Sequence, residues 1–240
     1  MRWGIGDDAA VLRPSAGSEW VISCDSSLEG VHFRRNYPPE SVGYKALARA
    51  ISDLAAMGAR PRYFLMALAL PAAKTGKWLD RFASGMSRAA REFGLWLIGG
   101  DVSQTPGVTI TITVLGEIPF DRVIPRSGAK PGDFIYVSGT LGSAQLGLEI
   151  VRRSLSRQPS LKKHLRPHFY PRIPISLGRD LARQRIPSAM MDISDGLSTD
   201  LERLCAASHV GARIRADRLP TAKVPTTLLA RGIDPTELAL

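Results

Sequence analysis

The chain is short of acid, of cysteine and of long apolar runs. Of its 240 residues only 22 are Asp or Glu, against 32 Lys or Arg, for a formal net charge of +10. Cys24 and Cys205 are the only cysteines and stand far apart, which argues against a disulfide framework or a cysteine-built zinc site. No apolar run approaches the ~20 residues that a membrane helix needs. The start, Met-Arg-Trp-Gly-Ile-Gly-Asp-Asp, lacks the basic-then-apolar layout of a secretory signal. A cytoplasmic protein with reduced thiols and no membrane partner is therefore expected. No Gly-x-x-x-x-Gly-Lys-Ser/Thr sequence occurs, which excludes a P-loop, and the Gly-rich loop and His-Arg-Asp of protein kinases are missing too.

The excess charge is unevenly spread. Residues 152–185 hold ten Lys or Arg and one acid, Asp180, a local +9, while the remainder is close to neutral. The mixed Pro and Ser content of this segment reads as a solvated connection with a plain basic surface, so nucleic acid is not the expected partner.

Against that basic background stand six short acidic clusters, each after a glycine or at the end of an apolar run. They are Gly-Ile-Gly-Asp-Asp at residues 4–8, Ser23-Cys24-Asp25, Ile51-Ser52-Asp53, Gly99-Gly100-Asp101, Asp192-Ile193-Ser194-Asp195, and Asp200 one helical step on. None of these aspartates has a Lys or Arg beside it in sequence, so another cation is expected to neutralise them. Short, rigid carboxylates next to glycine backbone suit hard divalent ions such as Mg²⁺, which are held by a few carboxylates plus substrate phosphates. Gly4 and Gly6 imitate a dinucleotide-binding turn, but Asp7 and Asp8 would repel a pyrophosphate unless a cation stood between them.

With 44% apolar residues, two domains of roughly 100 to 120 residues are expected. Residues 20–24 read as a buried strand that delivers Asp25. Apolar residues recur at helical spacing over 44–58, on a helix apolar nearly all round, so Asp53 needs a partner or a metal there. A strand over 63–70 follows, then an amphipathic helix marked by Trp78, Phe82, Met86 and Phe93, and a strand over 95–98 running into Asp101. Alternation of Val and Ile with Thr109, Thr111 and Thr113 predicts a strand suited to joining a second subunit's sheet. The turn-dense stretch 119–132 marks a boundary between domains 1–118 and 119–240, and Arg126 within it is a candidate phosphate clamp. Beyond it the pattern predicts strands over 134–137 and 189–191, a helix through Val151, and a helix over 199–207 capped by Ser198.

Taken together, Gly-Ile-Gly-Asp-Asp-Ala, Ser-Cys-Asp with Glu-Gly-Val-His-Phe, Ser-Asp-Leu-Ala-Ala-Met-Gly-Ala, Gly-Gly-Asp, Arg-Ser-Gly-Ala-Lys-Pro-Gly-Asp and Asp-Ile-Ser-Asp-Gly-Leu resemble the thiamine-monophosphate kinases. These belong to the superfamily that includes aminoimidazole ribonucleotide synthetase, and the motifs run through nearly the whole chain in the family's order. The resemblance implies an α/β (α+β) two-domain fold of that superfamily, with an N-terminal sheet domain that forms a homodimer and a C-terminal α/β domain. It also implies transfer of the γ-phosphoryl of ATP directly onto thiamine monophosphate, with several Mg²⁺ ions, no phosphoenzyme and no general base. By motif, Asp8, Ser23, Cys24, Asp25, Asp53, Asp101, Asp192 and Asp195 stand at metal-binding positions, Gly100, Arg126 and Ser194 at ATP contacts, and His32 at a contact to the thiamine substrate.

Two departures accompany the resemblance. The family usually has Thr at Cys24, and a thiol is a poor Mg²⁺ ligand, so a metal contact there would use the backbone carbonyl. Family members also have a helical stretch before Gly4 and, beyond Leu240, a Gly-Gly-Glu-Asp-Tyr-Glu-Leu motif and a distal aromatic, so the chain is expected to be a fragment that carries the metal and ATP half. The alternatives are another ATP-dependent enzyme of the same superfamily, or, from a different class, a nucleic-acid-binding module working through residues 152–185.

Overall fold

In the computed structural model, residues 14–240 are described, and they form two compact units. The first comprises the described residues up to Ile124 together with Ile173–Ile186, and the second comprises Pro125–Arg172 and Pro187–Leu240. In chain order the main elements are β1 (Ser18–Leu28), α1 (Pro39–Ala56), β2 (Arg60–Leu70), α2 (Lys77–Phe93), β3 (Trp96–Gln104), β4 (Thr109–Pro119), α3 (Ser143–Arg152), α4 (Lys162–Phe169), α5 (Ile175–Gln184), α6 (Leu197–Ser208), and the short α7 (Thr226–Leu229) and α8 (Pro235–Ala239). Among the described residues no helix is long and apolar enough to cross a membrane.

The first unit is a four-stranded sheet in the order β1-β4-β2-β3. β4 runs antiparallel to both β1 and β2, while β2 and β3 are parallel and are joined through α2. The alternation expected around Thr109 to Thr113 is there: Ile110, Ile112, Val114 and Ile118 are buried, and the threonines between them are half-exposed. α1 is buried along most of its length, through Leu47, Ala48, Ala50, Ile51 and Leu54, as an apolar circumference requires. Two glycines let α1 and α2 meet backbone to backbone. A Cβ on Gly43 would lie 2.2 Å from the Phe82 carbonyl oxygen, and one on Gly85 would lie 1.9 Å from that of Glu40.

Both acidic strands run further than the apolar pattern predicts. Ser26 and Ser27 still pair with Thr111 and Ile110, and Asp101 to Gln104 still pair with β2, so Asp25 and Asp101 sit inside β1 and β3 rather than at their ends. Backbone pairing continues wherever a neighbouring strand continues, whatever the polarity of the side chains.

The second unit is built from helices around a cluster of Leu146, Ile150, Leu161, Leu228 and Ile233, with a smaller cluster of Leu141, Leu197 and Ala239. Among its described residues no strand forms. The strands expected over 134–137 and 189–191 lack ladder partners, and Phe134 and Tyr136 are 85% and 87% exposed. Apolar composition alone does not make a strand without a second one to pair with. The basic stretch 152–185 is not the solvated connection expected: it folds into the end of α3, α4 and α5, with Arg152, Arg153, Lys162, Lys163 and Arg166 exposed. Nor does Ser198 cap α6. Gly196 holds the cap position at φ +117°, and Ser198 lies within the helix.

Candidate active site

A polar seam runs between α1 and the edge strand β1. Residues at i, i+4 and i+8 share one side of a helix, and residues at i, i+2 and i+4 share one face of a strand. The stripe Lys45, Arg49, Asp53 on α1 thus meets the stripe Ser27, Asp25, Ser23 on β1. The Ser23 hydroxyl donates to the Asp53 carboxylate. Arg49 donates through Nη1 to Ser27 Oγ at 3.2 Å, and its Nη2 lies 3.4 Å from each carboxylate oxygen of Asp25. Cys24, between them in sequence, is exposed and accepts a hydrogen bond from Thr113 Oγ1 at 3.5 Å. Strand alternation separates its thiol from the seam.

Beyond β1 the chain turns sharply through His32. The Leu28 N–H donates to His32 Nδ1 at 3.1 Å, which leaves Nε2 to carry the ring proton. Burial, then the cation of Arg49, pushes the imidazole below its ordinary pKa. Asp25 opposes this and Lys45 adds to it. Glu29 anchors the same turn, accepting from Lys74 Nζ at 2.9 Å, the Val108 N–H at 3.0 Å and Arg35 Nε at 3.3 Å. Burial raises its pKa, but these donors outweigh burial and hold the carboxyl below the usual range.

Asp101 stands on β3, the opposite edge of the sheet, where it is exposed and accepts from Ser103 Oγ at 2.8 Å. Three strand spacings of about 4.8 Å separate the two edges, roughly 14 Å along the sheet. Gly100 delivers Asp101 because no side chain fits before it: a Cβ there would lie 2.0 Å from the Met66 carbonyl oxygen.

In the second unit, Asp192, Ser194 and Asp195 form the loop that enters α6. Asp200, 1% exposed, reaches back from the first turn, and its Oδ2 accepts the N–H groups of Ser194 at 2.8 Å and Asp195 at 2.9 Å. Arg203 binds Asp200 at 3.0 Å and Asp195 at 2.6 Å. The backbone of Arg126 is fixed by the Ser208 hydroxyl, which donates to its carbonyl at 2.8 Å, while the Arg126 side chain is exposed. The Met190 N–H donates to the Pro125 carbonyl at 3.1 Å, so the Arg126 loop runs beside the approach to Asp192.

Of the sequence-predicted residues, the structure brings Ser23, Asp25 and Asp53 together on one seam, with His32 at its end, and places Asp192, Ser194 and Asp195 on one loop. It keeps Asp101 at the far sheet edge, and Asp8 lies outside the described residues. The expectation that only a foreign cation neutralises the aspartates is corrected for three of them, because Arg49 serves Asp25 and Arg203 serves Asp195 and Asp200. These partners stand three to twenty-four positions away, beyond the reach of sequence adjacency. Among the described residues no group of three or more His, Cys, Asp or Glu is arranged to hold a metal ion. The donor chemistry of the seam still fits Mg²⁺, which takes hard oxygens and is usually held by one or two carboxylates plus water and substrate phosphates. Lys45 and Arg49 belong to no motif singled out in the sequence, though the spacing of four between 45, 49 and 53 places them on the same side of α1 as Asp53.

Comparison with known proteins gives the family. Residues 6–118 match the family model of the AIR synthase related protein N-terminal domain, and residues 130–238 match that of the corresponding C-terminal domain. A thiamine-monophosphate kinase of Synechococcus elongatus is 39% identical over 222 residues, covering 90% of this chain and 68% of the relative. One of Escherichia coli K12 is 39% identical over 241 residues, covering 98% of this chain and 70% of the relative. Among solved structures, thiamine-monophosphate kinase from Stenotrophomonas maltophilia superposes with a TM-score of 0.88 at 36% identity, covering 99% of this chain and 75% of that one. AaThiL complexed with AMPPCP and TMP also gives 0.88, at 32% identity, covering 95% and 73%. With both domains matched and relatives of one name along nearly its whole length, the chain belongs to the thiamine-monophosphate kinase family, a family of kinases.

Proposed function

We propose that this protein transfers the γ-phosphoryl group of ATP directly onto the phosphate of thiamine monophosphate, giving thiamine diphosphate, in the cytoplasm. The observation that carries the reading is the match of both domains to relatives of that name, at 39% identity over 90% of the chain. A solved complex with AMPPCP and TMP at a TM-score of 0.88 supports it.

The chain's own residues divide the work by chemistry. Asp25, Asp53 and the oxygens of Ser23 offer hard donors on one seam, and by motif Asp8, Asp101, Asp192, Asp195 and the backbone carbonyl of Cys24 are further metal-binding positions. Mg²⁺ ions held there would neutralise the charge spread over the transferring phosphoryl oxygens. Arg126, with a fixed backbone and an exposed side chain, serves as a nucleotide clamp. Ser194 offers the nucleotide its hydroxyl, since Asp200 holds its N–H. Gly100 lets the backbone of β3 approach closely. His32 presents Nε2–H to the acceptor. No general base is assigned, because the acceptor is an already ionised phosphate oxygen, so positioning and charge neutralisation suffice.

The reading includes a homodimer formed sheet to sheet. The face of the sheet opposite α1 exposes Ile22 (61%), Leu65 (37%) and Trp96 (70%), a set of large apolar side chains that a second copy would cover.

Asp53→Asn tests the metal assignment, since the amide keeps an acceptor for Ser23 Oγ and removes only the charge. Formation of thiamine diphosphate from ATP and thiamine monophosphate should fall by about 100-fold or more with the circular dichroism spectrum unchanged. Near-normal turnover would refute the assignment.

A further inference from the structure

We propose that Lys45 and Arg49, with His32, form an anion subsite that holds the phosphate of the acceptor, so that this group is bound by cations of the chain itself as well as by metal. The proposal rests on the kinase reading above.

The seam between α1 and β1 is polarised. At one end the Ser23 hydroxyl meets Asp53; in the middle Arg49 meets Asp25; at the other end stands Lys45, one turn beyond Arg49. Among the described residues Lys45 has no carboxylate partner, and two cations four residues apart on a helix repel each other. Burial and the neighbouring Arg49 push its ammonium down to about 8. Lys45 is thus a half-buried ammonium without a carboxylate of its own, on the same side of α1 as an arginine that Asp25 already serves, and an anion placed between the two would favour its charged form.

The third wall supplies a neutral donor. His32 is fixed to the backbone right after Ser27, the residue that Arg49 touches, because its Nδ1 accepts the Leu28 N–H. Its remaining ring nitrogen is a donor, and both Lys45 and Arg49 are near enough to depress its protonation. An ammonium, a guanidinium with N–H groups to spare, and an imidazole N–H make three donor groups with no free acceptor among them. The complementary ligand is a compact anion with several oxygens, which is a phosphate monoester. The subsite adjoins Asp25, so a phosphate held there lies beside the carboxylates assigned to the metal.

Calorimetric titration separates the possible owners of this subsite. Wild type, Lys45→Gln, Arg49→Gln and Lys45→Arg are each titrated in excess Mg²⁺ with thiamine monophosphate, with thiamine, and with AMPPCP. Both glutamine variants should lose affinity for thiamine monophosphate by about tenfold or more while retaining that for AMPPCP, and Lys45→Arg should recover part of the loss. A lysine that only supports the fold would shift the melting temperature without separating the two phosphate ligands. Equal affinity of wild type and both glutamine variants for thiamine monophosphate overturns the subsite and leaves the kinase reading standing. Parallel loss of AMPPCP assigns the cations to the nucleotide and also overturns it. Wild type that binds AMPPCP but not thiamine monophosphate sinks the acceptor assignment itself.

Discussion

Asp200 holds the loop that enters α6 with a single carboxylate. It is almost fully buried, takes two backbone N–H groups through Oδ2 and Arg203 through Oδ1, and so sets the shape of the loop that presents Ser194 and Asp195. Charge-assisted bonds of this kind are about twice as strong as neutral ones, and buried donors left without an acceptor cost about 1–3 kcal/mol each. Asp200→Ala should therefore lower stability by about 3 kcal/mol in urea denaturation and weaken AMPPCP binding, while Asp200→Asn, which still accepts the N–H groups, should lose less. A wild-type urea midpoint in Asp200→Ala would show that the loop holds its shape by other means. In sequence Asp200 looks like one more member of the acidic set. Its partner Arg203 one turn on, and its place in the first turn of α6, mark it instead as a carboxylate committed to the protein.

The elements themselves were largely legible, and the reason is periodicity. Within the described residues up to Ile124, the strands and helices carry apolar runs, alternation or helical spacing, and β4 and α1 appear with the faces that their patterns predict, whereas α5 lay hidden in a basic stretch that reads as a connection. What was illegible is whatever depends on a partner distant in sequence. The run around Phe134 is apolar enough for a strand yet has nothing to pair with, and the seam of Lys45, Arg49 and Asp53 acquires meaning only when β1 lies against α1. The turn between β1 and α1 shows the same dependence, since Glu29 bonds Lys74 after β2 and Val108 before β4. Its folded pKa lies below its unfolded value of about 4.3, so its contribution is complete above that pH and disappears as pH falls through the folded value. Glu29→Gln should cost about 2 kcal/mol at neutral pH, and its loss of stability between pH 5 and the acid range should be shallower than that of wild type. Parallel acid-unfolding curves for the two proteins would remove Glu29 from the account.

At the scale of the whole molecule, charge and apolar surface point in different directions. The local +9 of residues 152–185 is partly answered within its own helix, where Glu149 pairs with both Arg152 and Arg153, and the remaining cations lie exposed, as a solvated basic surface does. The sheet face opposite α1 is the contrary case, because Ile22 and Trp96 lie open to water on a surface flanked by half-exposed threonines. An interface of ordinary size covers about 800 Å² on each partner, and large apolar side chains at its centre dominate its energy. Placing an unpaired carboxylate at that centre costs several kcal/mol on association, which is enough to weaken a dimer by more than about 100-fold. Light scattering on the purified protein should give twice the chain mass for wild type and the single-chain mass for Ile22→Glu, with the far-ultraviolet circular dichroism of both alike because Ile22 contributes nothing to the core between the sheet and α1. A wild-type protein that remains a single chain at micromolar concentration, or an Ile22→Glu variant that still dimerises, would move the contact away from this face.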